Sequence, residues 1–248
     1  MKPLRAIVTG GATNIGRAIS EEFLNSGGRV VVGQPDVSVA DSLIAKYGDR
    51  VAVLPLDVSD TAQCRQFIDA AVKLLGGLDV LVNNAAITGP GSVQTLAEVS
   101  PESFAKMVNV NVGGVLFCSQ AAVPYLKETG QGVIVTISSI NAIRPQRGAI
   151  VYAATKAAVT SLTQSMAKEL ASDRIRVVAV APGDIRTDNS GQAEREQASR
   201  GIVSDVALQT PLGRGEPKDV AATVMFLCSD GAKFVTGTTW LVDGGLLA

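Results

Sequence analysis

The sequence predicts an α/β fold: one Rossmann-type domain in which a doubly wound parallel sheet of about seven strands carries helices on both faces. Two observations predict it. Short runs rich in valine and isoleucine recur without polar alternation, as in strands covered on both faces. Each run is followed by a longer stretch with helical character.

In chain order, the runs are AIVTG after Arg5, RVVVG at 29–33, VAVLPL at 51–56, LDVLVN at 78–83, GVIVTIS at 132–138 and IRVVAVAPG at 175–183, with TTWLVDGG near the end. Helices are expected at Asn14–Asn25, Thr61–Leu75 and Tyr152–Ala171, among others. No stretch resembles a domain linker, so residues 1–248 read as a single domain. The polar segment DIRTDNSGQAEREQASR at 184–200 follows a Pro-Gly, and a mobile substrate loop is expected over about 184–212.

Composition narrows the function. Hydrophobic residues make up 46% of the chain and the formal net charge is −1, with no basic stripe of the kind a nucleic-acid surface needs. The opening apolar run, Leu4 to Val8, is too short for a signal peptide. Met107 to Leu126 is uncharged and about as long as a bilayer span, but Asn109, Asn111, Ser119, Gln120 and Pro124 interrupt it, which favours a helix buried in protein. A cytoplasmic protein with no membrane partner is expected.

Cys64, Cys118 and Cys228 are far apart, there is no CxxC pair and there is no histidine, so no metal site is expected. Cys118 and Cys228 sit in apolar helical contexts and read as core residues. Without histidine, every imidazole-based scheme is excluded, and proton transfer falls to Tyr, Lys, a carboxylate or cysteine.

Candidate site residues gather at the carboxyl ends of the strands, where open α/β sheets bind ligands. After the first strand, TGGATNIG at 9–16 places Gly10 and Gly16 where backbone can approach a pyrophosphate and a helix start can attract it. Asn14 occupies a position where glycine is common, and asparagine tolerates left-handed backbone better than most residues. A ligand-free strand-to-helix turn is the competing explanation.

Tyr152 and Lys156 are spaced i, i+4, so they share a helix face, and an ammonium beside a phenol is expected to lower its pKa. The pair alone is a weak signal, since it arises by chance on amphipathic helices. Ser138 and Ser139 end the preceding strand, either to bind a substrate oxygen or to cap a turn. Asn83 and Asn84 end another strand, Asn111 lies inside the uncharged helix, and Pro182 and Gly183 stop the sixth strand.

With DVS at 57–59, NNAA at 83–86, NVNVGG at 109–114, ISS at 137–139, YAATK at 152–156, PGDIRT at 182–187, PLGRGEPKDVA at 211–221 and VTGTTWLVDGG at 235–245, the chain resembles the short-chain dehydrogenase/reductase family over essentially its whole length, close to the 3-oxoacyl-carrier-protein-reductase-like branch. The resemblance implies an NAD(P)-dependent oxidoreductase that interconverts a secondary alcohol and a ketone. It implies a catalytic tetrad of Asn111, Ser139, Tyr152 and Lys156. Ser139 is preferred over Ser138 because it stands thirteen residues before the tyrosine, as the family requires.

In that scheme Tyr152 exchanges the proton, Ser139 orients the substrate oxygen, Lys156 holds the nicotinamide ribose and Asn111 positions a water. Gly10, Thr13, Asn14, Ile15 and Gly16 would face the pyrophosphate, with Gln34, Asp57 and Val58 near the adenosine, and Asn83 and Ala85 by the ribose. Pro182, Gly183, Ile185 and Thr187 would join the cofactor contacts, with Tyr152 and Lys156. Asn14 and Ala86 depart from glycines common in the family, and altered local geometry rather than lost binding is expected.

Cofactor choice in the family depends on charges near the 2′ position. Gln34, Pro35 and Thr13 stand there and Asp36 is offset, so NAD is expected, with NADP the alternative if Arg17 accepts the phosphate. The loop INAIRPQRGAIV at 140–151 is polar, and with Ser139 and Tyr152 its Asn141, Arg144, Gln146 and Arg147 are the expected substrate contacts. Arg144 or Arg147 suggests an acidic hydroxylated substrate, against the competing reading of two surface arginines. The alternatives are an NADPH-dependent 3-oxoacyl thioester reductase and, more distantly, a non-catalytic nucleotide sensor or scaffold. The family resemblance also implies a homotetramer.

Overall fold

A computed structural model describes residues 3–202 and 209–248. Seven parallel strands form one sheet in the order β3-β2-β1-β4-β5-β6-β7. They are β1 (Arg5–Thr9), β2 (Arg29–Gln34), β3 (Val51–Pro55), β4 (Val80–Asn83), β5 (Val133–Ile137), β6 (Arg176–Pro182) and β7 (Thr239–Val242). Each falls on one of the expected apolar runs.

Alternation along these strands supplies two cores. Ala6, Val8, Val30, Val32, Val80, Val82, Val133 and Val135 pack on one face, against α1 (Asn14–Asn25), α2 (Asp41–Tyr47) and α8 (Pro217–Leu227). Ile7, Val31, Leu81, Ile134 and Val177 pack on the other, against α3 (Thr61–Leu75), α5 (Gly114–Thr129) and α6 (Ile150–Leu170). Both faces are covered, which explains the lack of polar residues at alternate positions.

Local signals set the helix ends. The Asp60 carboxylate accepts from the amides of Ala62 and Gln63 to start α3, and Gly76, at φ 71°, ends it in the left-handed conformation. The uncharged stretch lies in a helix running from Pro101 to Thr129, made of α4 (Pro101–Val108), a π-helical turn at Asn109–Gly113 and α5. Among the described residues it is the one helix long and apolar enough to cross a membrane. Cys118, Ala122 and Leu126 seat α5 against α3, while Phe104 and Leu116 of the same long helix are exposed. All three cysteines are free and buried, Cys118 and Cys228 in the expected core positions.

One expectation is corrected. The segment read as a loop over 184–212 contains helix α7, Asp188–Ser199, opened by a reciprocal cap between Thr187 and Ser190. Arg214 braces it through Glu194 at 2.6 Å, and Arg200 extends the clamp to Glu98 at 3.0 Å. Part of that segment, 203–208, lies outside the described residues.

The strand order reverses between β1 and β4, where Thr9 is paired with Asn83. A switch of this kind opens a crevice beyond the carboxyl ends of the strands.

Candidate active site

A cleft of about 1020 Å³ occupies that crevice. At one end, Gly10 adopts φ 63°, a left-handed conformation that needs glycine, and Gly16 packs so closely that a Cβ would run into the Gly10 carbonyl oxygen. Asn14 is left-handed too, at φ 49°, as asparagine allows. The α1 N-cap residue, Thr13, makes no side-chain cap bond, so it satisfies none of the first-turn amides of α1 beside the cleft. Further along, Gln34, Pro35, Asp57 and Val58 line the cleft, and the Gln34 Oε1 is buried without a hydrogen-bond partner. Glycine-permitted backbone approach, an uncapped helix start and an orphaned amide oxygen fit a dinucleotide. Ile15, Ala85, Pro182, Gly183, Ile185 and Thr187 line the same cleft.

Arg17, the expected alternative partner for a 2′-phosphate, and the offset Asp36 both turn elsewhere. Arg17 pairs with Glu21 at 3.2 Å and donates to Ser42 at 2.8 Å. Asp36 accepts from the Ser38 amide and hydroxyl. Neither lines the cleft.

Asn83 is a correction. Its amide donates to the Ser119 hydroxyl at 2.9 Å on α5, and it does not line the cleft. The next residue does so: Asn84 donates to the carbonyls of Thr9 and Gly10, both at 3.0 Å, and thereby braces the phosphate-side loop. Strand alternation carries the signal. Leu81 faces α5, so Asn83, two residues on, must face it too.

At the other end, Ser139, Tyr152 and Lys156 converge on one wall. Ser138 turns away: its hydroxyl bonds the Lys156 carbonyl at 3.1 Å and the Thr160 hydroxyl at 3.0 Å. Ser139 sits close enough to the Tyr152 phenol to favour its ionised form. The Lys156 Nζ donates to the Ile137 carbonyl at 2.8 Å and lies 5.6 Å from the centre of the Tyr152 ring. Burial pulls the lysine pKa down to about 8. Burial also pushes the Tyr152 phenol up, more than Ser139 offsets, so the expected lowering of the tyrosine by the lysine is not found.

Asn111 is buried in the π-helical turn and does not itself line the cleft. Its Oδ1 accepts from the Ile87 amide at 2.7 Å, and its Nδ2 donates to the Thr155 hydroxyl at 3.1 Å, which donates to the Tyr152 carbonyl at 2.7 Å. Thr155 thus ties Asn111 to the helix that carries tyrosine and lysine. It sits in plain view within YAATK, but only Tyr152 and Lys156 stood out there as chemistry.

The substrate end includes Asn141 and Gln146, joined by a 2.9 Å bond from the Gln146 amide to the Asn141 side chain. Arg144 and Arg147 are exposed and do not line the cleft. Arg144 is occupied by Gln209 at 2.6 Å, so the expected anion contacts are corrected to surface positions. Among the described residues, Lys156 is the one cation lining the cleft.

Comparisons with known proteins agree with this geometry. The model of a family described as "Enoyl-(Acyl carrier protein) reductase" matches residues 10–247. A 3alpha-hydroxysteroid dehydrogenase of Mediterraneibacter gnavus is 39% identical over 245 residues, covering 96% of this chain and 95% of its own. A 3-oxoacyl-[acyl-carrier-protein] reductase of Thermotoga maritima is 37% identical, covering 97% and 96%. The crystal structure of a 3-ketoacyl-(acyl-carrier-protein) reductase from Brucella melitensis complexed with NADH superposes with a TM-score of 0.89 at 33% identity, covering 98% of both chains. With its sheet order, its glycine-lined cleft and its Ser-Tyr-Lys wall, the chain belongs to the short-chain dehydrogenase/reductase family.

Proposed function

We propose that the protein is an NAD-preferring dehydrogenase that interconverts a neutral hydroxylated secondary alcohol and its ketone, with Tyr152 as general acid/base. That it is an NAD(P)-dependent oxidoreductase acting on CH–OH groups follows from its family. The observation that carries the finer reading is the convergence of Ser139, Tyr152 and Lys156 on a cleft whose far end is an uncapped helix start.

The nicotinamide cofactor, when bound, accepts or donates the hydride. This chain supplies proton handling and alignment. The Ser139 hydroxyl fixes the substrate oxygen, and Tyr152 takes its proton in oxidation or returns it in reduction. Lys156, held by Ile137, presents a positive charge near the phenol and a donor for the ribose. Asn111 holds the Ile87 segment beside them and, through Thr155, the helix that carries Tyr152 and Lys156.

NAD is favoured because a 2′-phosphate would meet Gln34 and Pro35, with Arg17 already committed to Glu21. A neutral substrate is favoured because Ile87, Val93, Ile140 and Ile202 line its end of the cleft beside Asn141 and Gln146, with no arginine among the described residues. Among the described residues, the acids there, Asp184 and Glu194, are both paired with Arg214. A homotetramer fits the exposed apolar residues Phe104 and Leu116 on the long helix and Leu241 on β7, and light scattering would read its mass.

Titration with NADH and NADPH, followed by a screen of neutral cyclic and polyhydroxylated alcohols against carboxylated ones, tests the proposal. Tighter NADH binding and turnover of neutral alcohols are expected. A preference for NADPH with turnover of 3-oxoacyl thioesters would replace this reading with the reductase alternative. Nucleotide binding without turnover of any alcohol or ketone would leave the sensor.

A further inference from the structure

Asn14 makes a contact across the cleft that a glycine could not make. Its Oδ1 accepts from the backbone amide of Asp188 at 3.2 Å, 174 residues away in sequence. Asp188 is the first residue of α7, and its N–H is one of the amides a helix cannot satisfy internally. The reciprocal cap of α7 uses the Thr187 hydroxyl on the Ser190 amide, which leaves the Asp188 amide to Asn14. A second tie lies one residue on: the Asn189 side-chain Nδ2 donates to the Thr88 hydroxyl at 3.0 Å. The first turn of α7 is therefore fastened to the phosphate-side loop on one side and to the segment after β4 on the other. Thr187, Asn189 and Ser190 all line the cleft beneath these ties.

We propose that Asn14 is a positioning residue that latches α7 to the phosphate-binding loop, so that nucleotide occupancy of the loop and closure of α7 are coupled. This rests on the reading of the cleft as a nucleotide site. A left-handed backbone at position 14 is disfavoured for any side chain, and glycine would supply the same φ without that cost. What asparagine adds is the acceptor. The latch joins two parts of the chain that both line the cofactor cleft, the loop expected at the pyrophosphate and the start of α7 at Thr187.

Two substitutions remove the bond from its two sides. Asn14→Gly keeps the backbone conformation and deletes the acceptor. Asp188→Pro deletes the donor at a first helical position, which tolerates proline, after an extended Thr187 that accommodates a following proline. Amide exchange over 189–199 in nucleotide-free protein reads the latch directly, and stopped-flow fluorescence with NADH reads its coupling.

One exposed hydrogen bond predicts exchange about 3- to 10-fold faster in each variant. The double variant should be no faster than either single one, because both remove the same bond. NADH dissociation should accelerate by a similar factor with association unchanged. Unchanged exchange, or additive effects in the double variant, overturns the latch. So does NADH binding weakened more than tenfold by Asn14→Gly alone, which would make Asn14 a phosphate contact. If the parent protein bound no NADH, the coupling would fall with the nucleotide reading, while the exchange measurement would still decide the latch.

Discussion

The Lys156 ammonium donates to the Ile137 carbonyl at 2.8 Å, inside the domain and with 3% of the residue exposed. Its pKa falls to about 8 from an ordinary 10.5 because burial disfavours the charge. Between those values the unfolded chain binds a proton that the folded chain does not, so stability rises with pH across that window. Below it the charged lysine costs about 3 kcal/mol in full.

Lys156→Met should therefore stabilise the protein at pH 7 while abolishing turnover. The gain is reduced by about 1–3 kcal/mol for the orphaned Ile137 carbonyl. A rise in melting temperature of about 2–4 °C is expected, shrinking towards pH 10. Thermal unfolding at both pH values checks it, and a variant less stable at pH 7 would refute it.

Tyr152 should give the two reaction directions opposite pH profiles. Burial raises its pKa, so the phenol is protonated near neutrality, ready for reduction, and must ionise for oxidation. The rate of alcohol oxidation should climb as pH rises above 7, while ketone reduction stays flat or falls. With no histidine in the chain, neither profile should break between about pH 5.5 and 7. Tyr152→Phe should lower both rates by about 10²- to 10⁴-fold.

Thr155 should matter through Asn111. Thr155→Val leaves the Asn111 Nδ2 with only a 3.5 Å contact to the Ile87 carbonyl. An unsatisfied buried donor costs about 1–3 kcal/mol, and kcat should fall about tenfold or more with little change in the affinity for NADH. Thr155→Ser should restore most of the rate. Equal kinetics for the valine and serine variants would remove Thr155 from the relay.

Arg144→Gln and Arg147→Gln should leave KM within about twofold, because surface changes away from special features cost little. Steady-state kinetics on the best alcohol from the screen decide this. A larger rise for either variant would return that arginine to the substrate site.

The strands were legible because burial on both faces leaves a contiguous apolar run, and α1 and α3 were placed with their observed limits. Helix α7 was not legible. Its sequence, DNSGQAEREQAS, has no apolar stripe, and the helix is held by ion pairs with residues distant in sequence, Arg214 and Glu98, the latter through Arg200. In the catalytic wall, the i, i+4 spacing of Tyr152 and Lys156 put them on one helix face, but only the family resemblance singled out that pair and chose Ser139 over Ser138. Arg144 and Arg147 misled because a loop's composition does not say which side faces the cleft. Pairing of Arg144 with Gln209 is a contact between residues 65 apart, invisible in any local window.

The π-helical turn at Asn109–Gly113 makes the long helix intolerant of a change in length. Each helical residue turns the chain by about 100°, and the wide turn holds one residue more than a regular turn would. Deleting a residue there would leave a helix still apolar and more regular than before. Its two halves, however, would be rotated against each other. Asn111 could keep Ile87 and Thr155, or α5 could keep its seat on α3, but not both. Diversification along this helix is therefore confined to exchanging side chains at constant length.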